Sequence, residues 1–367
     1  MNAKFFCPLC GKSYELNTRE YKCICGGAFM LDFCAPKYEQ TLVDENRWNL
    51  FRYEKFLPNL QIDYNQVSLG EGMSPIVAFE EDALLKMDYF MPTLSFKDRG
   101  AVMVMALCKS IGVSKVLQDS SGNAGNSIAA YAARCGIECE IYVPEGTSRA
   151  KIDMIKAHGA CVNIVNGTRD ETADACRNAA QSGNAYYASH VFNPLFYQGT
   201  KTYIYEAFEQ IKKLPENIFI PVGNGTLFLG TMIGLYELLN SGVIDELPNI
   251  IAVQSEMCDP LFKAYLKAAH TPENINPSST LAEGIAIAKP IRGSEILDYI
   301  YKANARVVIA PEEDILTAQN KLARNGFFVE HTTAATYAAY EALKSAGSIS
   351  GQSLIPLCGA GLKSIKS

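Results

Sequence analysis

The residues best suited to covalent chemistry lie in Pro92-Thr93-Leu94-Ser95-Phe96-Lys97-Asp98-Arg99-Gly100. Lys97 follows an uncharged stretch and stands just before Ala101-Val102-Met103-Val104-Met105-Ala106-Leu107, which reads as a buried helix. An ammonium held against apolar surroundings loses hydration, and its pKa falls. The resulting amine can form a Schiff base with an aldehyde and later act as a base at carbon. A lysine at a loop-to-helix junction is also an ordinary surface residue, so this segment leaves both readings open.

Two other segments favour the chemical reading. Ser120-Ser121-Gly122-Asn123-Ala124-Gly125-Asn126 follows the strand-like Lys115-Val116-Leu117-Gln118 and opens an alanine-rich helix. Backbone amides at such a start bind a carboxylate or a phosphate, although an ordinary capped helix has the same pattern. Further on, the apolar Phe219-Ile220-Pro221-Val222 runs into Gly223-Asn224-Gly225-Thr226 and a second helix, an arrangement that cradles a phosphate ester. No Gly-x-Gly-x-x-Gly dinucleotide fingerprint and no Walker-type lysine loop occurs in the chain.

In this order the three segments resemble the fold-type II pyridoxal-phosphate enzymes, and within them the threonine synthases and their relatives. The resemblance runs from about Ser68 onward. It takes in Ser68-Leu69-Gly70-Glu71-Gly72, Asn193-Pro194, Gly199-Thr200-Lys201-Thr202, Ala282-Glu283-Gly284-Ile285, Val329-Glu330 and Gly359-Ala360-Gly361-Leu362-Lys363. It implies pyridoxal phosphate as cofactor, with Lys97 as the Schiff-base lysine and the acid/base at the α-carbon. Asn123 matches the position that hydrogen-bonds the cofactor ring hydroxyl, and Gly223, Asn224, Gly225 and Thr226 match the cofactor phosphate loop. Cys358 stands where threonine synthases usually carry Thr beside the pyridine nitrogen. A thiol there cannot hold a ring proton as an aspartate would, which suits elimination and replacement better than transamination. The amides of Ser121, Gly122, Asn123, Ala124, Gly125 and Asn126 are expected to receive the substrate α-carboxylate. Glu283 is expected either at the ring or substrate edge or as a support of its own loop.

The resemblance further implies conversion of O-phosphohomoserine and water to threonine and phosphate. A second phosphate must then be held, commonly by Gly-Asn-Phe-Asp with a following Arg and by Asn-Ser before Asn-Pro. Here the first reads Gly167-Thr168-Arg169-Asp170 with Asp174 near the expected Arg, and the second reads His190-Val191-Phe192. A carboxylate beside a phosphate dianion is repulsive, so Arg169 or His190 must substitute, or the leaving group differs. Met91 and Leu94 also replace the frequent Asn and Gly of the lysine segment. The alternatives are a serine/threonine-type ammonia-lyase, a phosphoserine-dependent cysteate synthase-like enzyme, or a relative that binds cofactor or effector without turnover.

From about Ser68, apolar strand-like runs alternate with amphipathic helices, which predicts an α/β chain with doubly wound parallel sheets. The resemblance implies two such domains with the cofactor in the cleft between them. The small domain spans 95–198, and the large one is formed by 35–94 and 199–367. Residues 1–34 form an N-terminal zinc-ribbon-like appendage: Cys7-Pro8-Leu9-Cys10-Gly11 and Cys23-Ile24-Cys25-Gly26-Gly27 offer four thiolates at short range, as tetrahedral structural zinc requires. The second pair is Cys-x-Cys rather than Cys-x-x-Cys, Cys34 is near enough to substitute, and free cysteines are the competing reading. Pro36–Leu60 is expected to form a helix that packs on the body and carries Trp48, Leu50, Phe51, Tyr53 and Phe56.

The remaining cysteines, Cys108, Cys135, Cys139, Cys161, Cys176, Cys258 and Cys358, read as small buried hydrophobes in a reducing cytoplasm. The N-terminus lacks the apolar core of a secretory signal. A net charge of −6 without a basic run excludes a nucleic-acid surface. The uncharged span Asn217–Tyr236 is long enough for a membrane helix, but Pro221 and the glycine turn predict strand, loop and helix instead. The expected partner is a small-molecule amino-acid substrate, and the resemblance implies a homodimer.

Overall fold

The computed structural model describes residues 3–183 and 185–364. Their contacts form two compact units. One contains the described residues of Met1–Gly72 and Met91–Thr200, the other those of Met73–Phe90 and Lys201–Lys366.

The chain opens on three short antiparallel strands, β1 (Lys4–Phe6), β2 (Ser13–Glu15) and β3 (Met30–Asp32), in the order β2-β1-β3. Phe5 stacks on Phe29 at 5.5 Å, and Tyr14 tilts onto Phe29 at 4.7 Å. The expected helix over Pro36–Leu60 is replaced by two 3-10 turns, Gln40–Leu42 and Leu50–Phe56, the second kinked at Tyr53. The Asn49 side chain accepts the Phe51 amide and starts that second turn. The mixed spacing of Leu50, Phe51, Tyr53 and Phe56 suits an irregular turn that buries neighbouring residues, and all four are buried. Trp48, expected to pack on the body, is 74% exposed.

The strands β4 (Ile76–Glu80) and β5 (Ala83–Lys86) form an antiparallel pair within the second unit. The chain then returns to the first unit through α1 (Lys97–Ser110), whose residues from Asp98 to Cys108 are all buried. There follow β6 (Lys115–Gln118), α2 (Asn123–Cys135), β7 (Glu138–Pro144), α3 (Arg149–Ala157), β8 (Cys161–Val165), α4 (Arg169–Ser182), β9 (Tyr186–Tyr187) and α5 (Leu195–Thr200). The sheet is parallel, in the order β8-β7-β6-β9. Buried α1 packs on both α2 and α5. Cys161, read as a small core residue, is instead exposed at the start of edge strand β8.

The second unit continues with α6 (Thr202–Ile211), β10 (Asn217–Pro221), α7 (Thr226–Ser241), β11 (Asn249–Ser255), α8 (Pro260–Leu266), α9 (Gly293–Lys302), β12 (Arg306–Ala310), α10 (Asp314–Arg324), α11 (His331–Ser345) and β13 (Ser353–Pro356). Its sheet runs β12-β11-β10-β13-β5-β4, parallel except for β4 against β5. Every residue of central β10 is buried, the pattern of a strand covered on both faces. The uncharged span thus divides into β10, a loop and α7. No helix among the described residues is long and apolar enough to cross a membrane.

The units differ from the expected boundaries: the N-terminal segment up to 34 is not a unit of its own, 91–94 and 199–200 lie in the unit that carries Lys97, and 35–72 also groups with that unit. Specific hydrogen bonds account for this. The Tyr131 hydroxyl donates to Glu71 at 2.7 Å, and Arg134 donates to the Asn65 and Ser68 carbonyls at 2.8 and 3.2 Å.

Candidate active site

Lys97 is the first residue of α1, and its Nζ lies 4.3 Å from the centroid of the neighbouring Phe96 ring. The preceding turn is closed by the Leu94 amide donating to the Met91 carbonyl, which puts Leu94 at φ +59°. That region is unfavourable for a side chain that carries a Cβ and comfortable for glycine. The substitution of Leu for the frequent Gly therefore strains the backbone three residues before Lys97. Met91, in place of the frequent Asn, is buried, and its thioether accepts the Gly72 amide.

Asp98, fully buried next to Lys97, ties this segment to α2. Its carboxylate accepts the Thr93 amide, the Thr93 hydroxyl and the Ser127 hydroxyl. Sequence reasoning missed this residue; the signal was a charged side chain inside an otherwise buried run. The start of α2 is shaped by Gly125, where a Cβ would lie 1.8 Å from the Ser120 carbonyl oxygen. The Asn126 amide donates to the Gly122 carbonyl at 3.1 Å and the Gly122 amide to Ser120 Oγ at 3.3 Å, while the amides between them precede the first i−4 carbonyl of the helix. Ser121, Gly122 and Asn123 are half-buried at this turn, whereas Ala124, Gly125 and Asn126 are buried. Two buried oxygens of this unit, Ser95 Oγ and Asn126 Oδ1, have no hydrogen-bond partner among the described residues. The helix amides and the Ser95 hydroxyl can donate to an anionic group, whereas Asn126 Oδ1 accepts and calls for a donor on the ligand.

His190 is buried in the same unit. Burial pushes its imidazole well below the usual range, and the charges of Lys97 and Arg169 lower it further. Arg169 is exposed at the first position of α4, where Thr168 and Glu171 form a capping box. Asp174 is exposed on the same helix and pairs with Arg177.

In the second unit, β10 leads through Val222 and Gly223-Asn224-Gly225 into α7 at Thr226. Gly225 has φ +75°, and a Cβ there would lie 2.4 Å from Ile296 Cδ1, so glycine is required. The α7 first turn presents backbone amides of the kind an anion satisfies. Cys358 follows β13, is 1% exposed, and donates its amide to Thr333 Oγ1 of α11 at 3.0 Å. Glu283 is exposed on a 3-10 turn over Glu283–Ile285.

At the N-terminus the Sγ atoms of Cys7, Cys10, Cys23 and Cys25 all lie within 4.8 Å of one another. Cys7–Cys25 and Cys10–Cys23 are each 3.5 Å apart. Zinc–sulfur bonds of about 2.3 Å in a tetrahedron need sulfur edges of about 3.8 Å, so this donor set fits the ion. Cys34 is exposed and outside the group; its thiol donates to the Ala35 carbonyl.

These two glycine-bearing helix starts and the lysine segment define a chain of the pyridoxal-phosphate class. The chain belongs to that family: the profile of the pyridoxal-phosphate dependent enzymes matches residues 67–359. It is 31% identical over 358 residues to the threonine synthase of Methanocaldococcus jannaschii, covering 94% of this chain and 88% of that protein. To the threonine synthase of Methanosarcina acetivorans it is 29% identical, covering 94% and 87%. Among solved structures it resembles threonine deaminase isoform 2 from Solanum lycopersicum, with a TM-score of 0.70, 22% identity and coverage of 78% and 79%. An aspartate racemase shares the fold at a TM-score of 0.68 and 21% identity, covering 83% and 97%.

Proposed function

We propose that this enzyme converts O-phosphohomoserine and water to threonine and phosphate. The observation that carries this reading is the similarity to threonine synthases over 94% of the chain. When bound, pyridoxal phosphate supplies an electron sink that acidifies carbon–hydrogen bonds of the amino acid.

In this reading Lys97 holds the cofactor covalently and moves the proton at the substrate α-carbon. Asn123 hydrogen-bonds the cofactor ring hydroxyl, and the amides of Gly223, Asn224, Gly225 and Thr226 receive its phosphate. Cys358 serves the pyridine nitrogen as a neutral partner, so the ring is a weaker sink that favours elimination over transamination. The α2 first turn, Ser121–Asn126, holds the substrate α-carboxylate. Arg169 and His190 take the place of the missing guanidinium at the substrate phosphate, and Glu283 supports the substrate edge from its loop. The four N-terminal cysteines hold a structural zinc, which closes the coordination sphere and leaves no open position for catalysis. The chain works as a cytoplasmic homodimer.

Asp174 favours a second reading. A carboxylate near the position where a phosphate-binding Arg is expected suits an elimination or replacement enzyme with a different leaving group, such as an ammonia-lyase or a phosphoserine-dependent synthase. Turnover is to be compared on O-phosphohomoserine, O-phosphoserine, serine and threonine. Release of threonine from O-phosphohomoserine alone supports the first reading; pyruvate or 2-oxobutyrate from serine or threonine supports the second. Lys97→Ala is expected to lose both turnover and the visible absorption of the holoenzyme, and a surviving band would show that another lysine holds the cofactor.

A further inference from the structure

Gln118, the last residue of β6, is fully buried, and both ends of its amide are committed. Its oxygen accepts the Asp119 backbone amide at 2.6 Å, while its nitrogen donates to the Ala188 carbonyl at 3.2 Å. Backbone amides only donate and carbonyls only accept, so these two bonds fix which end of the side chain is nitrogen. The same nitrogen lies 3.3 Å from His190 Nδ1. A primary amide nitrogen carries two hydrogens and accepts none, so Nδ1 must be the acceptor. The ring proton then sits on Nε2.

We propose that Gln118 is a positioning residue that locks His190 as the neutral Nε2–H tautomer, and that this N–H is a hydrogen-bond donor to the anionic leaving group of the substrate. Protonating Nδ1 would set two donors against each other in a buried site, so the contact itself opposes the imidazolium. Burial and the charges of Lys97 on α1 and Arg169 on α4 act in the same direction. The Phe196 ring of α5 packs edge-on against the imidazole at 6.0 Å and offers no charge. Nε2 has no hydrogen-bond partner among the described residues, so the donor remains available to a ligand. A neutral donor binds an anion beside the Arg169 guanidinium without adding a second positive charge that would repel it. It also cannot act as a base, because its only unprotonated nitrogen is held by Gln118.

The leaving-group part rests on the function proposed above, whereas the tautomer does not. The test is long-range 1H–15N correlation spectroscopy of the histidine rings in the 15N-labelled holoenzyme, with His190 assigned by its loss in His190→Asn. The expected result is a pyridine-like Nδ1 and a pyrrole-like Nε2, unchanged between about pH 5.5 and 8. A ring that titrates across that range, or carries its proton on Nδ1, overturns the proposal. Gln118→Glu places an acceptor against Nδ1 and is expected to produce a ring protonated on both nitrogens at neutral pH; an unchanged spectrum overturns the lock. For the donor, His190→Phe, which keeps a planar ring but has no N–H, is expected to raise KM for O-phosphohomoserine about tenfold or more, with a smaller effect on kcat. An unchanged KM refutes the donor role, and absence of turnover in the wild type, with the tautomer confirmed, refutes the substrate reading instead.

Discussion

The run after Lys97 is buried as the sequence suggested, while the role of Lys97 as cofactor lysine came from the resemblance and not from the pattern, which suits a surface lysine equally. Gln118 was not legible in the sequence, since a single glutamine at a strand end carries no pattern; only the positions of Asp119, Ala188 and His190 give it meaning. Glu71 is a similar case. Burial raises its carboxyl to about 7, despite hydrogen bonds from the Leu69 amide, the Tyr131 hydroxyl and the Ser68 hydroxyl. A carboxyl whose folded pKa exceeds its unfolded value of 4.5 binds more protons in the native state between those two values. Its contribution to stability is therefore lost as pH rises from about 4.5 to about 7 and is constant above that. Glu71→Gln keeps the shape and an acceptor while removing the titration. Thermal unfolding is expected to show near-equal stability of the two proteins near pH 5 and a gain for the variant near pH 8, on the order of 3 kcal/mol. Parallel pH profiles would show that Glu71 does not titrate in this range. Leu94 is tested more simply: Leu94→Gly relieves a left-handed residue and is expected to stabilise by about 0.5–1 kcal/mol, read as a shift in denaturant midpoint. A loss of stability would mean that the Leu94 side chain, 37% exposed, contributes more packing than the strain costs.

One side chain, that of Asp98, bridges the start of the Lys97 helix and the first turns of α2, which also pack on each other. Asp98 accepts from Thr93 before α1 and from Ser127 in α2, so the two helix starts are fixed to each other. Asp98→Ala leaves three buried donors without an acceptor, and a loss of about 3 kcal/mol or more is expected in denaturant unfolding. A loss below about 1 kcal/mol would mean that water or a neighbour replaces the carboxylate. Alternating strands and helices were readable from apolar runs, because parallel strands buried on both faces are nearly continuous in hydrophobicity. The segment 36–60 was misread for a physical reason. Phe51, Tyr53 and Phe56 are buried from an irregular 3-10 turn that Asn49 caps; apolar content alone does not distinguish this from a helix. The glycine turns were read correctly as turns, although the need for glycine at 125 and 225 came from Ser120 and Ile296.

Across the whole molecule, the sequence carried the class of enzyme but not how the chain divides into units. Residues 35–72 join the unit that holds α1 and α2 through Tyr131 and Arg134, contacts between positions some 60 residues apart that no local pattern encodes. The N-terminal cysteines were legible as a donor set, and the four sulfurs are in fact close enough for one ion. Metal analysis is expected to find about one zinc per chain, with Cys7→Ser and Cys23→Ser each lowering both zinc content and thermal stability. A stable protein without metal would contradict the zinc assignment. The central claim is the reaction itself, and the measurement that tests it most directly is turnover of O-phosphohomoserine in 18O-labelled water. Elimination breaks the carbon–oxygen bond at Cγ, so the phosphate leaves with its original oxygens and water supplies the hydroxyl at Cβ. Equal amounts of threonine and phosphate are expected, with the label in the threonine hydroxyl and none in the phosphate. Homoserine with labelled phosphate, or no product at all from a protein carrying its cofactor on Lys97, would contradict that claim.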